Sequence, residues 1–307
     1  MSLTSLYYKQ IILFDNQRQI TPLINNINKK RFIFLNTNYL WFLLKPISNI
    51  KIKKKIFLIF LKLLNPRFII SYDWLTEYQK LYSFWAKKYN KDFIVVQHGV
   101  YSGGINTVKQ SRFARCTIMY CWSQYFSNLF KSYNKNKKVN IITFGNPIYN
   151  IFNRDNFKYK ETEIKHILVL PTLIQDNNLK NEYEDLISKI ILNDFKIAIK
   201  QHPMQIQYGS FQPSFLINSD IYKILENQEY DLIISDNSTS LLDAIFFKNK
   251  VLFYDPTCSE SIYSDFLYNI YNSFPGKDLN SYINIPLQEK LLKKLGGGYS
   301  TSNSLKY

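Results

Sequence analysis

YDLIISDNSTSLLDAIFFKNKVLFYDP, residues 230–256, holds three elements in one short stretch. YDLIISD (230–236) is apolar on consecutive positions and stops at Ser235 and Asp236. SLLDAIFF (240–247) sets its apolar residues at helical spacing, and KVLFYDP (250–256) is a second continuous apolar run. Half-exposed strands alternate apolar with polar residues, whereas continuous runs suit parallel strands buried on both faces. The stretch reads as strand, helix, strand.

The same pattern fills the rest of the chain. HILVLP (166–171) and FKIAIKQHP (195–203) precede it, separated by helix-like YEDLISKIIL (183–192). Nearer the start come QIILFD (10–15), RFIFLN (31–36), RFIISYD (67–73), DFIVVQHG (92–99), TIMYCWS (117–123) and NIITFG (140–145). WLTEYQKLYSFWAKKY (74–89) and SQYFSNLFKSY (123–133) lie among them at helical spacing. After GNPIYN (145–150), the charged bridge NRDNFKYKETEIK (153–165) is the best linker candidate. Alternation in two blocks predicts an α/β protein of two doubly wound Rossmann-type domains facing across a cleft. The expected limits are 1–150 and 151–295, with a flexible tail over 296–307.

Composition bounds the function. At 307 residues and 46% apolar, the chain can bury a sizeable core and is not disordered. A formal charge of +16 favours anionic partners: nucleic acid, phosphorylated substrates or an acidic membrane surface. Cys116, Cys121 and Cys258 are an odd number with no CxxC pair, which argues against a disulfide framework or a zinc site and fits a reducing cytosol. The opening Met1–Tyr8 does not read as a secretory signal, and no apolar stretch reaches the roughly 18 residues a spanning helix needs. A cytoplasmic protein is expected.

In open α/β sheets ligands sit beyond the carboxyl ends of the strands, which singles out the polar residues there. Gln97-His98-Gly99 ends one run: His98 suits a general base titrating near neutrality, and Gly99 permits close approach of a substrate. The plainer reading is a strand-end histidine bonded to a carbonyl. Asp73 ends another run and is the alternative base, or else the N-cap of the helix from Trp74. Lys200, His202 and Pro203 end a third: His202 could donate to a phosphate oxygen with Lys200 adding charge, or the segment is simply a turn. Ser238, Thr239 and Ser240 precede a helix and exceed what one cap requires, so they suit an anion held at a helix N-terminus.

The order of these motifs resembles the bacterial GT-B glycosyltransferases and phosphopolyol transferases of surface-polysaccharide assembly, closest to those using CMP- or CDP-activated donors. QHG followed by GNP is similar to their N-terminal half; KQHP and SDNSTSLLDA…KVLFYD are similar to their nucleotide-binding half. The likeness spans residues 66–256 as scattered short motifs. It implies a GT-B-like fold and an enzyme of capsule or lipopolysaccharide biosynthesis. That enzyme would move a sialic acid- or Kdo-like sugar from a CMP donor to a hydroxyl of a glycan or lipid-linked acceptor. In the roles it implies, Lys200, His202, Ser238, Thr239 and Ser240 hold the donor phosphate. Pro171, Thr172, Pro203 and Asp243 face the nucleotide, and Gln97 and Gly99 lie on the acceptor side. His98 matches the base of the teichoic-acid polymerases, while sialyl- and Kdo-type enzymes use a carboxylate, for which Asp73 is the candidate. QHG is followed here by VYSGG, a departure from the polymerase pattern. No Asp-x-Asp motif is present, so neither a metal nor any other cofactor is expected. Asp243 could contact a donor ribose or be a surface carboxylate.

KPISNIKIKKKIFLIFLKLL (45–64) mixes lysines with an apolar run. It reads as a core-facing helix with a solvated lysine face, or as a segment that docks on an anionic membrane. Alternatives to the transferase are a CDP-polyol phosphotransferase of teichoic-acid type, a UDP-sugar-using transferase, a 2-epimerase, and a basic polysaccharide- or nucleic-acid-binding protein. Specific nucleic-acid binding is not expected, because the lysines are spread and no known nucleic-acid motif is present.

Overall fold

The structure, a computed structural model, describes residues 10–14, 32–37, 42–72, 77–97, 99, 115–135, 138–174, 176–202, 205, 211–236, 238–257, 261–271 and 274–296. The described residues form two compact units, with the chain passing from the first to the second between Phe152 and Asn153.

The first unit carries β1 (Gln10–Phe14), β2 (Phe32–Asn36), β3 (Phe68–Ser71), β4 (Asp92–Val96), β5 (Ile118–Cys121) and β6 (Asn140–Thr143). They form one sheet in the order β2-β1-β3-β4-β5-β6, every pair parallel. Alternate residues of these strands serve opposite faces. Ile12, Phe68, Ile70, Ile94, Val96 and Tyr120 build one buried cluster. Phe93, on the other face, meets Tyr82 of α2 (Glu77–Tyr89) at 5.7 Å, and Tyr82 meets Phe57 of α1 (Ile50–Leu64) at 5.8 Å. Burial on both faces is why the runs are continuous rather than alternating. Asn49 caps α1 by accepting from the amides of Lys51 and Ile52, and Asn65 ends it in the left-handed region at φ 40°. A third helix, α3 (Gln124–Tyr133), is capped by Ser123.

The second unit holds β7 (His166–Leu170), β8 (Lys196–Ile199), β9 (Leu232–Ser235) and β10 (Val251–Phe253), ordered β10-β9-β7-β8 and again all parallel. One face packs on α4 (Asn177–Leu192) through Tyr183, Leu186, Ile187 and Ile190. A short α5 (Ile221–Glu226) follows. The other face buries α6 (Thr239–Phe246) and α7 (Ile285–Gly296), with Leu241, Leu242, Ile245, Leu291 and Leu295 fully inaccessible. All ten apolar runs are strands, and both sheets are Rossmann-like. Among the described residues no helix is long and apolar enough to cross a membrane. Of the expected tail, Gly296 ends α7, and 297–307 lie outside the described residues.

The expected linker over 153–165 is part of the second unit instead. Asn153 caps a 3-10 turn at Arg154–Asn156, and the Arg154 guanidinium donates to the carbonyls of Ile245 and Phe246 at the end of α6. The same group pairs with Glu289 of α7 at 2.6 Å, and the Tyr159 hydroxyl donates to that carboxylate at 2.7 Å. Phe157 stacks edge-on against Phe247 at 5.1 Å, and Lys160 donates to the Gln228 carbonyl. Charge and polarity mark a linker only when the groups find no partners, and here they cross-brace two helices. Arg154→Ala should lower the denaturation midpoint of the full chain, at a cost of about 1–3 kcal/mol because the pair is only partly buried. Glu289→Gln, which keeps acceptors for Arg154 and Tyr159, should cost less.

Candidate functional site

The order β10-β9-β7-β8 puts a topological switch between β7 and β9: the chain leaves β7 toward β8 and later returns to the opposite side. In open parallel sheets a switch of this kind marks the carboxyl ends of the two strands as the place where ligands bind. Three sequence-predicted segments stand at that edge of the sheet: Pro171-Thr172 after β7, Lys200–His202 after β8, and Asp236–Ser240 after β9.

Asp236 is the residue that sequence reading missed there. Its side chain is 95% buried, being 5% exposed, yet one carboxylate oxygen accepts three hydrogen bonds. They come from the Thr172 hydroxyl at 2.7 Å, the Thr172 amide at 3.2 Å and the Tyr183 hydroxyl of α4 at 2.6 Å. The other oxygen has no partner among the described residues. Burial drives the carboxyl up, the hydrogen bonds from Tyr183 and Thr172 pull it back, and the pKa settles at about 6. Burial and the adjacent carboxylate keep the Tyr183 hydroxyl protonated and donating. Thr172 is thus held to the strand β9 end by both its amide and its hydroxyl. Its position after a strand was legible in the sequence; its bond to a residue 64 positions away was not.

The hydroxyl cluster follows directly. The Ser238 amide donates to the Asp236 carbonyl, and the Ser238 hydroxyl caps α6 by accepting from the Ser240 amide at 3.2 Å. The Ser238 carbonyl accepts from the buried Tyr263 hydroxyl at 2.9 Å, which fixes the loop from below. Ser238 therefore does the work of the cap, and Thr239 and Ser240, half-buried, open the helix beyond it. After β8, Lys200, Gln201 and His202 are half-buried. Burial lowers the His202 pKa and so favours the neutral imidazole, which carries a single N–H. Gln205 accepts from the Ile174 amide at 2.9 Å and donates to the Ile174 carbonyl, tying this segment to the loop after β7. The buried amide nitrogen of Gln201 has no acceptor among the described residues. Pro203 and Asn237 lie outside them.

Asp243 is not a surface carboxylate. It is 4% exposed on α6 and accepts from the Tyr222 hydroxyl of α5 at 3.0 Å, because its place on the helix turns it toward α5.

In the first unit, Gln97 is fully buried and its amide is engaged within the protein. Its oxygen accepts from the Trp122 amide at 2.9 Å, its nitrogen donates to the Gly99 carbonyl at 2.8 Å, and its own carbonyl accepts from the Trp122 indole at 2.7 Å. Gln97 braces the ends of β4 and β5 and shapes the turn to Gly99. His98 and Asp73 both lie outside the described residues. After β6, Gly145 adopts φ 96°, a conformation that glycine takes without steric cost, and Asn146 accepts from the Ile148 amide at 3.1 Å. Cys116 and Cys121 are free, and burial pushes both thiols up to about 12, so they stay protonated; Cys258 lies outside the described residues.

The raised Asp236 pKa fixes the sign of a pH effect. The folded chain binds this proton more tightly than the unfolded chain, so the contribution of Asp236 to stability falls as pH rises from about 4 to 6. In Asp236→Asn that slope disappears, so the unfolding free-energy difference between wild type and variant, read by chemical denaturation, should shift against the wild type across this range by up to about 3 kcal/mol. Gln97→Ala should cost about 1–3 kcal/mol, since it removes the partner of the buried Trp122 amide and of the half-buried Gly99 carbonyl; chemical denaturation reads it directly.

No family model and no curated protein matches the sequence. Solved structures do match the fold. The wall teichoic acid polymerase TagF, soaked with CDPG, aligns with a TM-score of 0.55 at 13% identity, over 99% of this chain and 87% of that one. The glycotransferase of kitacinnamycin aligns at 0.55 and 11% identity, over 96% and 97%. The UDP-N-acetylglucosamine 2-epimerase of Rickettsia bellii aligns at 0.52 and 14% identity, over 97% and 90%. The fold of this chain is the GT-B type, two Rossmann-like α/β units.

Proposed function

We propose that the chain is a glycosyltransferase of surface-polysaccharide assembly, taking a sialic acid- or Kdo-like sugar from a CMP-type donor and passing it to a glycan hydroxyl. The observation that carries this reading is the edge of the second sheet. There the N-terminus of α6, with Thr239 and Ser240 beyond the capping Ser238, shares one side of the sheet with Lys200 and His202, next to the β7/β9 switch. Helix amides, hydroxyls, one neutral imidazole N–H and one ammonium together suit a nucleotide phosphate. Thr172, locked to Asp236, offers a rigid wall for the nucleotide. Asp243 contributes through the packing of α6 on α5.

In this mechanism the acceptor hydroxyl attacks the donor's anomeric carbon and the bond to the phosphate breaks. His98 or Asp73 of the first unit takes the hydroxyl proton. Negative charge developing on the departing phosphate is met by Lys200, His202 and the α6 N-terminus, so the step needs no metal. A CDP-polyol phosphotransferase is the second reading, favoured by the likeness to the CDPG-soaked polymerase. It uses the same donor cradle but directs attack at phosphorus.

Thermal shift against CMP, CDP, UDP, GDP and ADP, with and without EDTA, tests the proposal. A nucleotide at 100 times its Kd stabilises by about 2.7 kcal/mol, a clear shift. Selective stabilisation by cytidine nucleotides is expected, indifferent to EDTA and lost in His202→Ala and in the Thr239→Ala/Ser240→Ala pair. Preference for UDP or GDP would overturn the donor class, and no response to any nucleotide would sink the transferase.

A further inference from the structure

Helix α1 is apolar on two opposite faces. Phe57 and Leu61 point inward and are fully buried, and Phe57 packs on Tyr82 of α2. Ile52, Ile56, Ile59 and Leu63 recur at intervals of four, three and four residues, which places them in one row along the other side of the helix. Of these, Ile52 is 50% exposed, Ile59 56% and Leu63 74%, with Ile56 half-buried. Beside that row runs a second one, Lys51, Lys55 and Lys62, all exposed. Just before the helix, Phe42 and Leu43 are 70% and 65% exposed. The core-facing side already anchors the helix, while Ile52, Ile59 and Leu63 leave half or more of their surface to solvent.

The charge around it is one-sided. Between Asp15 and Asp73 the sequence has eleven Lys and Arg residues and no Asp or Glu. Cations beside an exposed apolar row are what a lipid surface with anionic headgroups asks for. A helix of 15 residues is about 22 Å long, enough to lie flat in a headgroup layer with its apolar row sunk into the acyl boundary.

We propose that the outward face of α1 docks the protein on bilayers bearing anionic headgroups. Ile52, Ile59 and Leu63 insert, and Lys51, Lys55 and Lys62 pair with lipid phosphates. The inference stands apart from the transferase reading, because it concerns a different unit and is read without activity.

Co-sedimentation of the full chain with vesicles tests it, comparing phosphatidylcholine alone with phosphatidylcholine mixed with phosphatidylglycerol. Binding to the anionic vesicles alone is expected, weakening as salt is raised. The Lys51→Gln/Lys55→Gln/Lys62→Gln variant should bind about a hundred-fold more weakly, at roughly five-fold per lysine. Ile52→Ser/Ile59→Ser/Leu63→Ser keeps every charge and should also lose binding, with a circular dichroism spectrum like the wild type. Should that triple variant not fold, Leu63→Ser alone, at the most exposed of these positions, should still weaken binding. Absence of binding to anionic vesicles overturns the proposal, as does binding that the serine substitutions leave unchanged. Sedimentation velocity showing self-association abolished by the same substitutions would assign the face to a second copy of the chain. Retention of an oligonucleotide, sensitive to the lysines and not to the isoleucines, would assign it to nucleic acid.

Discussion

A parallel sheet covered by helices on both faces leaves only the ends of its strands near solvent, and both units of this chain are built under that constraint. Polar groups at those ends must be met by neighbours or be offered to a ligand. The second unit shows the first outcome. Asp236, at the end of the most deeply buried strand, is held by Thr172 and Tyr183, while Thr239 and Ser240 begin a helix whose cap is already supplied by Ser238. A rigidly held strand end and the opening of α6 thereby lie side by side.

The Asp236 contacts also explain why tyrosines cluster around this edge. A buried carboxylate is costly unless several donors reach it, and Tyr183 supplies one from a helix on one face of the sheet. Tyr263 fixes the Ser238 carbonyl, and Tyr222 reaches Asp243. Long aromatic side chains with a terminal hydroxyl can span from an apolar layer to a polar group at a strand end. In the first unit Gln97 serves the same purpose with an amide, joining β4, β5 and the following turn through Trp122.

Polarity alone misleads where partners are distant in sequence. The charged segment 153–165 has the composition of a linker, yet Arg154 reaches helices about 90 and 135 positions away and makes the segment a brace. Asp243 has the same ambiguity and the opposite resolution to the one its charge suggests. Helices α5 and α7 carried usable signals, Asp220 and Asn284 as caps before apolar spacing, though neither stood out beside the stronger runs.

The ten strands, their parallel pairing and the positions of Thr172, Lys200, His202 and Ser238–Ser240 at strand ends were determined by the sequence alone. Each follows from local periodicity and from residues adjacent in the chain. The strand order, the grip of Asp236 on Thr172 and Tyr183, the burial of Gln97 and Asp243, and the division of α1 into a core face and an outward apolar row were decided only by tertiary structure. These depend on which groups, far apart in sequence, come within hydrogen-bonding or packing distance, and no local pattern encodes that.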